Sequence, residues 1–549
     1  MGGGYTGRTF GEVSGVREKR LLALIEGFGL WPAVVGDAAV TDVVIDPAQV
    51  TPGALFVARR GWYYDTHTAL REVLERGAAA LIVSKAEAVP AGCRAPCWLT
   101  SSDDPLLGLL SARFFEHPTA HLKVFGVTGT NGKTTCAHLI AHMLRARGER
   151  VAVMGTVGYD LGDGQVRAAT NTTPDGVVIQ RFARAALDGG ATALVMEVSS
   201  HGLAIGRVAG VVFDAVGFTN LSHDHLDFHK TWGAYREAKG RLFSERLEAS
   251  LADGKRPVAV ANIDGDGEGW AMLAQAPAGV ERVSVSAVGV QGAAWGIALA
   301  RHDLTGMGGE VRALPAQRRV ATFNAPLVGA YNVENILVSA LMVAAQEAQR
   351  RQPLDGDGSS QRLVDEALAQ ALGALDGFGG VPGRMQRAFT PREDEPLVFV
   401  DHAHTPDAVS RALQMAKSLQ GQPVTVVLGC GGDRDPSKRA PMAAAACAFA
   451  DFVYLTSDNP RSESSFVILA AMTQGVPPEA LSRVHVIEDR AAAVEAAIRH
   501  ALTHGLGPVL LLGKGHEDYQ EVGGVKRPFS DLTCAQGVIA RVRAERMKP

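Results

Sequence analysis

The stretch GVTGTNGKTT, Gly126 to Thr135, follows the apolar run LKVFGV and opens a helical pattern from about Lys133. A glycine-rich turn between a buried strand and a helix is where backbone N–H groups and a helix N-terminus hold phosphate. The spacing departs from the usual G-x-x-x-x-G-K-[ST], because Val127 stands where the first glycine would be. On this reading Gly129 and Gly132 let the backbone approach phosphate oxygens, Lys133 reaches the β/γ-phosphates and Thr134 ligates magnesium. Thr130, Asn131 and Thr135 complete the loop. A steric turn also uses glycines, but the strand before GKTT and the helix after it are the context that phosphate binding requires.

Outward from the loop the chain alternates strand and helix signals. Upstream, DVVID, ALFVARRG, HTALREVLERGAA and ALIVS read as a small α/β unit, joined to the loop strand by a connecting helix in TSSDDPLLGLLSARFFEHPTAH. Downstream, RVAVMGTVG, ALVMEVSS, DAVGFTN and PVAVANID are short apolar runs between helical patterns, the mark of a mainly parallel sheet covered on both faces. The polar stretch RRQPLDGDGSSQR reads as a surface loop within a helical region. Beyond it PLVFVDHAH, VTVVLGCGGDRD, DFVYLTSDNPR and PVLLLGKGHED are strands with polar tails, and open α/β sheets bind ligands outside the carboxyl ends of their strands. The fold expected is α/β in three domains: a small α/β domain over 1–115, a central sheet with the phosphate loop over 116–378, and a Rossmann-like domain over 379–549.

The 549 residues carry a formal net charge of −4, 46% hydrophobic and 20% charged residues, a globular composition without the basic field that attracts nucleic acid. No apolar run reaches membrane-spanning length, and the start MGGGYTGRTF has no apolar signal region. Met1-Gly2 with Thr6 fits a loose myristoylation pattern that short glycine-rich starts match by chance. The six cysteines are scattered; Cys93 and Cys97 lack a second pair to complete a zinc site, so reduced thiols in a cytoplasmic protein are expected.

Three further residues stand out. Glu197 ends the apolar run ALVME, where a nucleotide hydrolase more often places aspartate, and can hold Mg²⁺. His225 lies between Asp224 and Asp227, so it reads either as a structural histidine or as a metal ligand. Lys239 follows fourteen residues later on a helical pattern with Tyr235 and Phe243 at i−4 and i+4. A desolvated amine there loses its charge and becomes reactive, whereas a snorkelling lysine satisfies the same spacing.

The ordered set GTNGKTT, NTTPD, MEVSSHGL, HDHLDFH, AKGRLF, GAYNVENILVSA, GRMQ, DHAHTPDA, GCGGDRDPSKR, DNPR and GKGHEDYQ, from about Val43 onward, resembles the Mur ligase family. The resemblance implies an ATP-dependent amide ligase of peptidoglycan synthesis. It would add meso-2,6-diaminopimelate to the D-glutamate γ-carboxylate of UDP-N-acetylmuramoyl-L-alanyl-D-glutamate through an acyl phosphate. It further implies a monomer, Mg²⁺ held by Thr134, Glu197, His225 and a carbamylated Lys239, and catalytic roles for Lys133, Glu197, His225 and Lys239. By the same resemblance Asn332, Asn335, Arg384, Asp401 and His404 meet ATP, and Asn171, Thr172, Thr173, Ser199 and Arg207 meet the nucleotide-sugar substrate. Arg434, Asp458, Asn459, Pro460, Arg461, Gly513 and Glu517 meet the incoming amino acid. Arginines suit a distal carboxylate and Glu517 a distal ammonium, which favours diaminopimelate over lysine. The sequence departs from the family where Ile205 replaces a glutamine, where Asp46-Pro47-Ala48 replaces the usual DSR, and in WYYDTHTA. Those departures keep open a lysine-adding enzyme or a non-catalytic paralogue. Folylpolyglutamate synthase, of the same architecture, lacks the joint DNPR and GKGHED.

Overall fold

The computed structural model describes residues 18–61, 65–101, 104–222, 224–314, 316–351, 360–505 and 507–547. The myristoylation-like start, residues 62–64 of WYYDTHTA, His223 and most of the RRQPLDGDGSSQR loop lie outside them. Two compact units form: Met1–Ala298 with Glu310–Phe323 and Tyr331–Leu375, and Leu299–Gly309 with Asn324–Ala330 and Asp376–Pro549. Among the described residues no helix is long and apolar enough to cross a membrane.

The first unit begins with a five-stranded sheet ordered Trp31–Val34, Cys97–Leu99, Ala80–Val83, Ala54–Val57, Asp42–Val44. All its pairings are parallel except that of Trp31–Val34. The helix Asp104–Phe114 packs Leu107, Leu110 and Phe114 against Leu55, Val57 and Ile82 of this sheet. In place of DSR, Asp46 caps the turn Pro47–Gln49, its Oδ1 accepting from Ala48 N at 2.9 Å.

The second sheet places the loop strand Lys123–Thr128 between Ala193–Glu197 and Ala215–Phe218, with Val151–Met154 outside the former and Val258–Asn262, then Glu281–Ser286, outside the latter. These six strands are parallel. Val124, Phe125 and Val127 are fully buried, as a sheet covered on both faces demands. The loop helix Lys133–Ala146 starts after Gly132 in left-handed backbone (φ 88°) and leads into Gly148, again left-handed. It lies beside the helix Asn332–Arg351, where Cys136 Sγ meets the Asn335 carbonyl at 3.6 Å.

The second unit orders five parallel strands, Val398–Asp401, Val509–Leu512, Thr425–Cys430, Phe452–Ser457 and Val484–Val486. Parallel pairing puts the tails that follow Asp401, Cys430, Ser457 and Leu512 at one sheet edge. Arg490 and Asp531, both fully buried, brace that edge: Nε and Nη2 each donate to the carboxylate at 2.7 Å, and Nη2 also reaches the Leu512 carbonyl at 3.0 Å.

Candidate active site

The phosphate loop is held by groups that leave no room at its glycines. A Cβ on Gly129 (φ 148°) would meet Thr219 Oγ1 at 1.9 Å, and one on Gly132 would meet Asn335 Oδ1 at 2.2 Å. Glycine at these two positions therefore brings bare backbone to where phosphate would lie. Lys133 Nζ donates to the carbonyls of Gly129 (2.8 Å) and Thr130 (2.9 Å), and Lys239 Nζ donates to the same Gly129 carbonyl at 2.8 Å. Two amines thus converge on one carbonyl. Lys239 is 1% exposed, and burial, aided by Lys133, depresses its pKa well below the usual lysine range.

The lysine helix is Trp232–Gly240, so Phe243 lies past its end in the turn closed by Phe243 N to the Gly240 carbonyl, not on the stripe the sequence suggested. It is still fully buried. Tyr235 does lie one helical turn before Lys239; its ring sits 4.6 Å from Nζ and its hydroxyl reaches Thr130 Oγ1 at 3.0 Å. This helix thus fastens to the phosphate loop at two points.

Glu197, at the end of its strand and in register with Val127, is 2% exposed. Its carboxylate accepts from Thr134 Oγ1 (3.0 Å), Thr156 N (2.8 Å) and Thr156 Oγ1 (3.2 Å). Hydroxyl and carboxylate oxygens are the hard donors that suit Mg²⁺. Thr156 was not marked by any motif. It arrives because the parallel pairing of Val151–Met154 with Ala193–Glu197 sets the following turn over the carboxylate.

The residues that the sequence suggested for the nucleotide-sugar substrate adjoin this network. Thr173 Oγ1 donates to the Glu197 carbonyl (2.9 Å) and accepts from Ser199 N (2.9 Å), while Thr172 Oγ1 meets Thr156 Oγ1 at 3.0 Å. Arg207 donates to the Thr173 carbonyl (2.9 Å) and to Asp175 Oδ1 (3.2 Å), which also takes Arg59 Nη1 at 2.7 Å. The Asn171 carbonyl accepts from Tyr159 OH at 2.7 Å. Ile205 lies just past the short helix Ser200–Ala204. Asp175 stood inside NTTPD without a role; the structure makes it the shared partner of two arginines.

His225 is placed differently. Its side chain is 46% exposed, its backbone is left-handed (φ 52°), and its ring lies 4.7 Å from that of His201 and 6.3 Å from Tyr235. Thr134 and Glu197 form one donor pair; His225 and Lys239 flank Tyr235. Among the described residues no group of three or more His, Cys, Asp or Glu is gathered for a metal ion. His201, overlooked within MEVSSHGL, lies tilted against Phe228 with ring centroids 4.1 Å apart, and burial lowers its pKa.

In the second unit the tails gather as expected. Asn459 Nδ2 donates to Glu517 Oε2 at 2.7 Å, and Lys514 Nζ, fully buried, reaches Asn459 Oδ1 (3.2 Å) and Glu517 Oε2 (3.3 Å). Arg461 has left-handed backbone (φ 53°), and its Nη1 donates to the Gly432 carbonyl at 2.7 Å. A Cβ on Gly431 would lie 2.9 Å from Arg461 Nη1 and 3.8 Å from Arg434 Cγ, so this glycine sits between the two arginines. Asp458, following its strand, approaches buried Arg490 at 4.0 Å, and a Cβ on Gly513 would meet Asp458 Oδ2 at 2.6 Å. Pro460 leads into the Arg461 turn. Asp401 accepts from Met385 N (2.7 Å) and Ala403 N (2.8 Å), with burial raising its pKa and Arg384 opposing the rise. His404 Nδ1 meets the His402 carbonyl at 2.7 Å. Lys514 was quoted in GKGHED but not singled out.

A parallel α/β scaffold with a strand–GTNGKTT–helix loop, an acid at the neighbouring strand end and a buried lysine defines a nucleotide-dependent α/β protein of the phosphate-loop class. Comparison with known proteins narrows this. The model of the Mur ligase middle domain matches residues 127–343, and that of the Mur ligase glutamate ligase domain matches 383–515. A protein of Synechococcus elongatus named UDP-N-acetylmuramoyl-L-alanyl-D-glutamate–2,6-diaminopimelate ligase is 38% identical over 509 residues, covering 92% of this chain and 95% of its own. One of the same name from Ralstonia nicotianae is 39% identical over 513 residues, covering 89% and 91%. A solved structure of an enzyme of that name superposes with a TM-score of 0.64 at 33% identity, covering 92% and 96%. The MurF ligase of Thermotoga maritima in complex with ADP shares the fold, with a TM-score of 0.50 at 16% identity, covering 92% and 98%. The chain belongs to the Mur ligase family.

Proposed function

We propose that the protein adds meso-2,6-diaminopimelate to UDP-N-acetylmuramoyl-L-alanyl-D-glutamate in the cytoplasm, as a monomer, with ATP as the energy source. The observation that carries this reading is the convergence of Arg434, Arg461, Asn459 and Glu517 on one strand edge. It is supported by relatives of that name matched over about nine-tenths of the chain. Residues 1–115 would hold the uridine end, 116–378 ATP and the muramoyl dipeptide, and 379–549 the amino acid.

The chemistry joins two anions and then an amine. A γ-carboxylate oxygen of D-glutamate attacks the γ-phosphorus of ATP; the bond to the β–γ bridging oxygen breaks, giving acyl phosphate and ADP. The unprotonated amine of diaminopimelate then attacks the acyl carbon, phosphate leaves, and the amine gives up a proton. Lys133 and the backbone N–H groups at the start of the helix Lys133–Ala146 offset phosphate charge. Thr134 and Glu197 would hold Mg²⁺, which supplies charge neutralisation between phosphate and carboxylate when bound. Asn332 and Asn335 position the nucleotide from the first turn of their helix. Asn171, Thr172, Thr173, Ser199 and Arg207 orient the muramoyl dipeptide.

Lys239 fits carbamylation. The nitrogen lone pair of a buried neutral amine bonds to the carbon of CO₂, an N–H proton is released to solvent, and the product is a carboxylate-like carbamate beside the phosphate loop. His225 would support the same region. For the amino acid, Arg461 and Arg434 would grip the distal carboxylate and Glu517 the distal ammonium. Lysine brings no distal carboxylate to these guanidiniums and leaves Arg461 with only Glu521 as an ion-pair partner among the described residues, the Glu521 Oε2 lying 4.0 Å from Arg461 Nε. The test is phosphate release by the purified protein with ATP, Mg²⁺ and the UDP-muramoyl dipeptide, with meso-diaminopimelate and L-lysine in turn. Release that depends on the dipeptide and on diaminopimelate is expected; release with neither amino acid preferred would contradict the reading.

A further inference from the structure

We propose that Glu334, with Asn262, forms the polar edge that receives the nucleoside part of the bound nucleotide, accepting a hydrogen bond from its exocyclic amine or ribose hydroxyls. This rests on the nucleotide reading of the GTNGKTT loop and adds a residue to it.

Position comes first. Glu334 lies on the first turn of Asn332–Arg351, between the two asparagines, and Asn335 of that turn touches Gly132 of the loop. Asn262 ends the strand two places across the sheet from the loop strand. At about 4.8 Å per strand that is roughly 10 Å sideways, within reach of a nucleoside whose phosphates lie in the loop. Glu334 Oε2 accepts from Asn262 Nδ2 at 3.1 Å.

Satisfaction comes second. Glu334 is partly buried, and among the described residues no cation is paired with it and Asn262 is its one hydrogen-bond donor. Its charged neighbour is another carboxylate, Asp264, which is already engaged by Ser286 Oγ and by Ala287 N at 2.7 Å. Burial, with Asp264 adding to it, pushes the Glu334 carboxyl up to about 7. A half-buried carboxylate facing a second one, with a single amide donor, costs the fold stability unless something outside the chain supplies a donor. A nucleoside amine or diol is such a donor, and it would be presented from the loop side.

The experiment is calorimetric binding of ATP, dATP and GTP to the full chain, wild type, Glu334→Gln and Glu334→Ala, with Lys133→Ala as the loop control and thermal midpoints recorded for each. The Ala variant is expected to bind ATP about tenfold more weakly while its midpoint stays level or rises, since an unpaired carboxylate has gone. If the base amine is the donor, the wild-type preference for ATP over GTP collapses in the variant; if the ribose is, the preference over dATP collapses. Unchanged ATP affinity and unchanged preferences in both variants would overturn the proposal, as would a lowered midpoint with normal binding, the signature of packing alone. The Gln variant, nearly isosteric, answers the question should the Ala variant fail to fold. Failure of the wild type itself to bind ATP would instead strike the nucleotide reading on which this one rests.

Discussion

Lys239 is the side chain on which the chemistry proposed for the first unit turns. A 1%-exposed amine with depressed pKa shares the Gly129 carbonyl with Lys133 and, among the described residues, makes no ion pair with a carboxylate, Asp224 acting on it only at longer range. The proposed carbamate supplies a carboxylate there. Replacing Lys239 with alanine should abolish ligation, and short-chain carboxylic acids added to the assay should restore part of it by occupying the vacated place. Full activity of the alanine variant without additive would remove the carbamate assignment. The sign of the pKa change matters too: because the folded-state value is lowered, the neutral amine that reacts with CO₂ persists to lower pH than for an exposed lysine. Lys133→Ala and Glu197→Ala should lose turnover and retain the native far-UV circular dichroism spectrum. Both are proposed to serve the phosphate site, so loss of the spectrum would assign them to the fold instead.

At the level of elements, the strand ends carry the sites and buried polar braces keep those ends in register. Arg490 with Asp531 is the clearest brace, joining the helices Arg490–His504 and Asp531–Arg546 to the Leu512 strand end from which the GKGHED tail departs. Removing one partner strands a charge in the core, so Asp531→Ala should cost about 3–5 kcal/mol. All six tryptophans precede residue 299, in the first unit. Urea unfolding of the variant should therefore shift the circular dichroism transition to lower denaturant and leave the tryptophan fluorescence transition in place. Coincident shifts would show that the brace does not act locally. The strands themselves were legible in the sequence because each apolar run is bounded by polar or glycine punctuation, and the loop glycines because their spacing is local. Asp175 with Arg59, and Thr156 with Glu197, were not, since the first pair is brought together by packing between two sheets and the second by strand order, each across many intervening residues. The helix end at Gly240 was misjudged because apolar periodicity continued to Phe243 after the backbone had turned.

For the whole molecule, family membership and the order of its motifs agree with a ligase that couples ATP to amide formation, and the choice of amino acid is its central claim. In the proposed reading that choice rests on Arg461, held at φ 53° with Nη1 on the Gly432 carbonyl, and on Glu517, held by Asn459 and Lys514. Such fixed groups discriminate by leaving a charge unmatched when the wrong amino acid enters. The most direct measurement is kcat/KM for meso-diaminopimelate and for L-lysine, side by side, on the wild type and on Arg461→Ala. The account predicts a wild type that prefers diaminopimelate, and a variant that loses about 2–4 kcal/mol, roughly thirty-fold or more, on that substrate and far less on lysine. Equal losses on the two amino acids, or a wild type that prefers lysine, would contradict it.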